Sequence, residues 1–234
     1  QRMLEVAQPV GHSALLLIGQ GALATCLVRA GLWRRAEAVI AAGLASPDQS
    51  SLYGAPAKAQ LRLLAATIAV HRDGGRAAAA AVEEVRSHAA RLEDRSILAW
   101  VYLLEAEMRT EGEDLDGARV VLLAAAEVAR DLEDAGLQAR VHLARAEVER
   151  RERNYDAADN QIVLAQRLVK ESPDLTLAGA AQRAVGRLHA ERGRFTEAQH
   201  SLAQSLSIFR TVDDRRQIGA VHLDLGNLML AAGD

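Results

Sequence analysis

Aromatic residues are scarce in this chain of 234 residues, and cysteine is almost missing. Aromatic side chains make up only 3% of the sequence, whereas half of the residues are apolar, with alanine prominent among them. Because alanine is the strongest helix former, this composition favours an all-helical protein. The single cysteine, Cys26, excludes an internal disulfide framework and suits a reducing cytoplasm. We expect its thiol to be inert and buried.

A strong net charge and long apolar runs are missing as well. The formal net charge is −3 and the isoelectric point is about 6.2, which argues against direct nucleic-acid binding because such surfaces are usually strongly basic. The apolar run 14–18 ends at Gly19, well short of the roughly 18 residues that a membrane helix needs. These absences predict a cytoplasmic protein without membrane contact.

Motifs of known chemistry are also absent. The seven histidines are scattered and show no metal-ligand spacing, and no nucleophile elbow or Walker loop occurs. We therefore expect no enzyme activity, no metal and no cofactor. One stretch leaves an alternative open: Gly19, Gly21 and Ala24 fit G-x-G-x-x-A, the turn that holds a dinucleotide pyrophosphate. The other interpretation, a repeat helix with small residues for close packing, is favoured because no parallel-sheet pattern follows.

What the chain has instead is a repeat of about forty residues. The stretch 179–210 contains two apolar helical faces separated by a turn at Gly193, with small residues such as Gly186 where the helices would cross. Its buried stripe is predicted to consist of Leu188, Phe195, Leu202, Leu206 and Phe209. The same small–large–small pattern recurs in Gly186, Phe195, Ala198, Leu202; Ala146, Tyr155, Ala158, Ile162; Ala106, Leu115, Ala118, Leu122; Ala66, Gly75, Ala78, Val82; and Ala24, Trp33, Ala36, Ile40. A period of this length predicts stacked helix pairs.

These columns resemble those of the tetratricopeptide repeat, in the long-unit form found in the sensor arms of bacterial LuxR-type (STAND) ATP-dependent transcriptional regulators. The resemblance covers almost the whole chain and implies one repeat domain, 1–234, folded as an all-α right-handed superhelix of stacked antiparallel helix hairpins. The predicted units are 12–46, 56–92, 96–132, 136–170, 174–210 and a partial 214–234. Because the chain opens on Gln1 and breaks off inside the sixth unit, we interpret it as a segment of a longer protein.

The resemblance also implies a binding face, since first helices line the concave surface of tetratricopeptide arrays. The candidate residues are Trp100, Leu103, Glu107, Arg140, Leu143, Glu147, Arg183, Arg187 and Asn227. We expect the arginines among them to converge and hold an acidic or phosphorylated protein segment, or a small anionic effector. The alternative is that Glu107 and Glu147 neutralise the arginines as ordinary surface ion pairs.

The resulting hypothesis is non-enzymatic recognition of a protein, peptide or effector by the sensor or interaction arm of a bacterial regulator. Two alternatives stay open: an assembly scaffold or self-association module, and an accessory domain of an enzyme encoded elsewhere in the chain. Self-association through the cut ends is expected because Val221, Leu225, Leu228 and Met229 form an apolar face on the last helix.

Overall fold

The computed structural model describes residues 13–46, 54–72, 75–172 and 174–233, and these residues form helices joined by turns, without a strand. The eleven helices in these ranges are α1 (Ser13–Arg29), α2 (Trp33–Ala45), α3 (Gly54–Arg72), α4 (Gly75–Arg91), α5 (Arg95–Glu111), α6 (Leu115–Asp131), α7 (Ala135–Arg151), α8 (Tyr155–Val169), α9 (Leu175–Glu191), α10 (Phe195–Thr211) and α11 (Arg215–Ala232). The predicted all-α class of packed helix pairs is confirmed.

From α5 onward each helix begins twenty residues after the previous one. Most of these turns contain a residue with positive φ, such as Glu113 at 62° and Gly193 at 71°; the turn between α8 and α9 has none among its described residues. The residue with positive φ lets the next backbone N–H reach back to the helix, as when Asp114 donates to the carbonyl of Arg109 at 2.9 Å. The forty-residue repeat therefore consists of two halves of equal length.

Aspartates mark where most of these helices begin. The carboxylate of Asp134 accepts a hydrogen bond from the backbone N–H of Leu137 at 2.9 Å, and the same type of cap starts other helices at Asp94, Asp114, Asp174 and Asp214. Each cap satisfies a backbone donor that has no partner inside its helix.

The chain divides into two compact units, residues 1–108 and 109–234. In unit 1, α1 packs on α2 and α3 packs on α4, and the two first helices, α1 and α3, are also in contact. In unit 2, α7 packs on α8, α9 on α10, and α11 on α10, while the first helices α7, α9 and α11 lie side by side. Short connections within each pair make the two helices antiparallel.

The small residues of the predicted packing columns and the apolar residues that follow them are buried, whereas the large residues Trp33, Leu115 and Tyr155 are half-buried. At most 3% of each apolar side chain is exposed in the columns Ala24, Ala36, Ile40; Ala66, Ala78, Val82; Ala106, Ala118, Leu122; Ala146, Ala158, Ile162; and Ala198, Leu202. Gly186 is buried too, and an added Cβ there would lie 2.7 Å from Cγ of Leu202. The helices of that hairpin can approach so closely because position 186 has no side chain.

Three details differ from the sequence prediction. Cys26 is exposed, since it lies two residues after buried Ala24 and so about 200° around the helix from it. Phe195 is 36% exposed because it is the first residue of α10 and lies at the edge of the stripe. Val221 and Leu228 are buried in the cluster with Leu202, Leu206 and Phe209, so the apolar side chains that α11 exposes are Leu223, Met229 and Leu230.

The dinucleotide interpretation of the G-x-G-x-x-A stretch is not supported, because Gly19, Gly21 and Ala24 all lie inside α1 and no strand precedes them among the described residues. Gly21 is buried in α1, and an added Cβ there would meet no heavy atom of the described residues within 4 Å.

Candidate functional site

The site prediction concerns the first helices of the hairpins, and in unit 2 these helices are neighbours. The forty-residue period places Glu147 of α7 beside Arg187 of α9, and Leu143 beside Arg183, with α11 following on the other side. Between them lies a cavity of about 170 Å³ with an apolar floor of alanines. We call this surface the ionic groove; it is formed by Leu143, Glu147, Arg150, Arg183, Arg187, Gln217, Glu191, Asp224 and Asn227.

Ion pairs connect the three helices across the groove. Glu147 lies 3.1 Å from Nη1 of Arg187 and 2.9 Å from Nη2 of Arg150. Arg150 reaches Glu191 of α9 at 2.5 Å. Arg183 contacts Asp224 of α11 at 2.5 Å between Nε and Oδ2. The result is a continuous ladder of charges that ties each first helix to the next.

The surroundings of Glu147 and Arg187 shift the pKa values of both side chains. Burial alone would raise the pKa of Glu147, but hydrogen bonds from Arg150 and the charge of Arg187 outweigh it and lower that pKa from 4.5 to about 2. Burial lowers the pKa of Arg187, and Glu147 opposes that effect. A carboxylate with so low a pKa is a poor general base near neutral pH. Near neutral pH Glu147 therefore acts as a constant negative charge in the groove.

Four of the nine predicted site residues line the cavity together: Leu143, Glu147, Arg183 and Arg187. Asn227 lies in an adjoining recess of about 340 Å³ that shares Arg150 and Arg187 with the cavity.

Arg140 does not line the cavity or the recess. Its Nη2 contacts Asp174, the cap of α9, at 2.6 Å. Burial lowers the pKa of Arg140, and Asp174 acts in the opposite direction. Arg140 therefore belongs to the junction between α7 and the start of α9 instead of converging with Arg183 and Arg187.

The other predicted residues belong to unit 1. Trp100 packs, half-buried, against the core formed by α3, α4 and α5. Glu107 lies 3.3 Å from Nδ1 of His71. Leu103 is half-buried on the same helix, α5.

The sequence analysis missed Arg150, Glu191, Gln217 and Asp224, although a signal for three of them was present. Arg150 and Glu191 are separated by 41 residues, as are Arg183 and Asp224, and Glu147 and Arg187 are separated by 40. Opposite charges one repeat apart fall on adjacent first helices, where they can pair. Searching for such pairs at the repeat distance would have identified the ladder.

The groove contains three guanidinium groups, Arg150, Arg183 and Arg187, and three carboxylates, Glu147, Glu191 and Asp224. The formal charges of the groove therefore balance, and Arg151, which lies outside it, makes a further ion pair with Glu147. The arrangement matches the alternative in which carboxylates neutralise the arginines.

Metal-binding clusters and membrane-spanning helices are both absent from the part of the chain that the structure describes. No three histidine, cysteine, aspartate or glutamate side chains among them are grouped as a metal site would require. Within the same ranges no helix is both long enough and apolar enough to span a membrane.

Comparison with known proteins yields a structural likeness and no sequence family. No family model matches the chain, and a comparison with curated proteins gives no match. The crystal structure of BtubC (BKLC) from P. vanneervenii is similar, with a TM-score of 0.64 and 15% sequence identity over 91% of this chain and 89% of that chain. At this identity the likeness shows the fold alone.

Proposed function

We propose that this chain is a non-enzymatic recognition module of the tetratricopeptide type, acting as the sensor or interaction arm of a bacterial transcriptional or signalling regulator. The observation that carries the proposal is the ionic groove, where three adjacent first helices present charged side chains over an apolar floor. The buried columns at a forty-residue period support the assignment to that repeat type.

The groove suits an extended protein segment. Adjacent helices lie about 8–10 Å apart, so three of them offer a track of roughly 20 Å, which an extended peptide covers with about six residues. The ladder holds each arginine in place before binding, which lowers the entropic cost of ordering its side chain. A segment with carboxylates would compete with Asp224 and Glu147 for the arginines.

Selection from a random peptide library displayed on phage tests this proposal. We expect the wild-type chain to enrich peptides that lose affinity for an Arg183→Gln/Arg187→Gln variant. The matched control is Arg194→Gln/Arg210→Gln, which removes the same charge from exposed positions that do not line the groove. Circular dichroism verifies that both variants remain helical. Absence of enrichment, or equal affinity for the wild type and the groove variant, would refute the proposal.

Self-association is a second candidate function, favoured by the exposed face of α11. Leu223, Met229 and Leu230 are 66%, 58% and 77% exposed. Gly226 stands forty residues after Gly186, the glycine over which Leu202 packs, yet an added Cβ at Gly226 would meet nothing within 4 Å. A second copy could place a leucine there.

Sedimentation velocity over a range of concentrations distinguishes this candidate. We expect the wild-type chain to associate and a Leu223→Glu/Leu230→Glu variant to sediment as a monomer, because the charges would be buried in the contact. The control is Val120→Glu, a change at a side chain of α6 that is 67% exposed. A wild type that stays monomeric at the highest concentration contradicts self-association.

A further inference from the structure

Unit 1 contains a basic cavity whose lining includes none of the predicted site residues. It measures about 310 Å³ and lies between the end of α2, the first turns of α3 and the last turn of α4. We call it the basic pocket, and it is lined chiefly by Lys58, Arg62, His88, Arg91, Leu44 and Leu92. None of its described lining residues is acidic, in a chain whose net charge is negative.

Lys58 is the innermost charge of the pocket. Only 5% of this residue is exposed, and its Nζ donates a hydrogen bond to the backbone carbonyl of Ser46 at 2.5 Å. An ammonium group has three donors, so this bond leaves two. Burying an ammonium without a carboxylate is costly, and an anion in the pocket would offset that cost.

Arg62 and Arg91 line the same pocket as Lys58 and add further positive charge. Nε of Arg62 lies 3.1 Å from Glu84, a carboxylate that is 60% exposed and does not line the pocket. Nε of Arg91 bonds only weakly, at 3.3 Å, to the backbone carbonyl of Ser87. With Glu84 offsetting one of three cations, two positive charges remain among the residues that the structure describes.

Two further features of the pocket lie at the helix ends, in the first turn of α3 and the last turn of α4. Ala55, in the first turn of α3, lines the pocket, and α3 has no acidic residue in its first turn. The positive end of the helix dipole therefore adds to the charge of the side chains. Nδ1 of His88 donates to the backbone carbonyl of Glu84 at 2.8 Å, so Nε2 of the neutral ring is an acceptor, suited to a hydroxyl group of the ligand and not to its anionic oxygens.

We propose that the basic pocket binds the phosphomonoester group of a small molecule between Lys58, Arg62 and Arg91. A phosphomonoester carries close to two negative charges near neutral pH, which matches the two unbalanced positive charges. Guanidinium groups bind phosphate through paired hydrogen bonds. The volume is at the lower end of the range of small-molecule sites, about 300–1,000 Å³, and Leu44 and Leu92 would contact the remainder of the molecule.

Isothermal titration with inorganic phosphate, at constant ionic strength maintained with chloride, tests the proposal. We expect saturable binding by the wild-type chain and affinity weakened about 10- to 100-fold in Arg91→Gln, the range for losing a charge-assisted hydrogen bond. Arg130→Gln is the matched control, because Arg130 also lies in the last turn of a helix and is exposed. It should bind phosphate like the wild type.

A second variant tests the charge balance in the opposite direction. Glu84→Gln frees Arg62 at an exposed position, so phosphate should bind severalfold more tightly than to the wild type. Failure of phosphate to saturate, equal affinity for the wild type and Arg91→Gln, or saturable binding of succinate in place of phosphate would each overturn the proposal. Arg183→Gln/Arg187→Gln should leave phosphate binding unchanged, which separates this result from the ionic groove.

Discussion

Gly186 and Gly226 occupy the same repeat column, yet the same substitution should change stability in opposite directions at the two positions. A Cβ at Gly186 would lie 2.7 Å from Cγ of Leu202 and 3.2 Å from the backbone carbonyl of Ala198. At Gly226 it would meet no atom within 4 Å. Replacing a glycine inside a helix by alanine favours the helix by about 0.5–1 kcal/mol, whereas inserting an atom into a packed crossing costs about 1–3 kcal/mol.

We therefore expect Gly186→Ala to lower the free energy of unfolding by about 1–2 kcal/mol, because the carbonyl of Ala198 is backbone and cannot rotate away. Gly226→Ala should raise it by about 0.5–1 kcal/mol. Urea unfolding followed by far-ultraviolet circular dichroism measures both, provided that the dependence on urea stays the same. If Gly186→Ala is stabilising to the same degree as Gly226→Ala, the close approach of α9 and α10 is wrong.

Three further predictions follow from the turns and the ionic groove. Gly193→Ala should destabilise by about 1–2 kcal/mol, because φ is 71° while space around the position is open; an unchanged urea midpoint would contradict this. Asp134→Ala should cost about 0.5–2 kcal/mol through loss of the cap on Leu137, and more than Asn154→Ala, since Asn154 makes no capping hydrogen bond. Glu147→Gln should cost about 1.5–3 kcal/mol near pH 7. Since the pKa of Glu147 falls from 4.5 to about 2 on folding, the stability difference should persist above pH 4.5 and disappear as pH falls through about 2; a difference that is independent of pH would refute the ladder.

The sequence predicted the helix pairs and their packing columns because small residues at a fixed period leave few alternatives. Ala158 and Ala198, for example, are buried as expected. It did not reveal the half-repeat of twenty residues, although Asp94, Asp114 and Asp134 show that period directly. Burial at the edges was harder to predict, as Phe195 shows, because it depends on where a helix begins.

The binding residues were harder to predict than the fold, because a charge can be read from sequence while its partner cannot. Arg183 and Arg187 looked like a ready anion site, but carboxylates one repeat away already hold them. A ligand in the ionic groove must exchange those partners, which favours salt-sensitive and selective binding of a whole segment. Lys58 differs from these arginines, because it is buried beside further cations and no described lining residue of its pocket is a carboxylate. Among the described residues the chain thus has arginines paired with carboxylates in the ionic groove and cations without a lining carboxylate in the basic pocket, and inorganic phosphate should bind the basic pocket in preference to the groove.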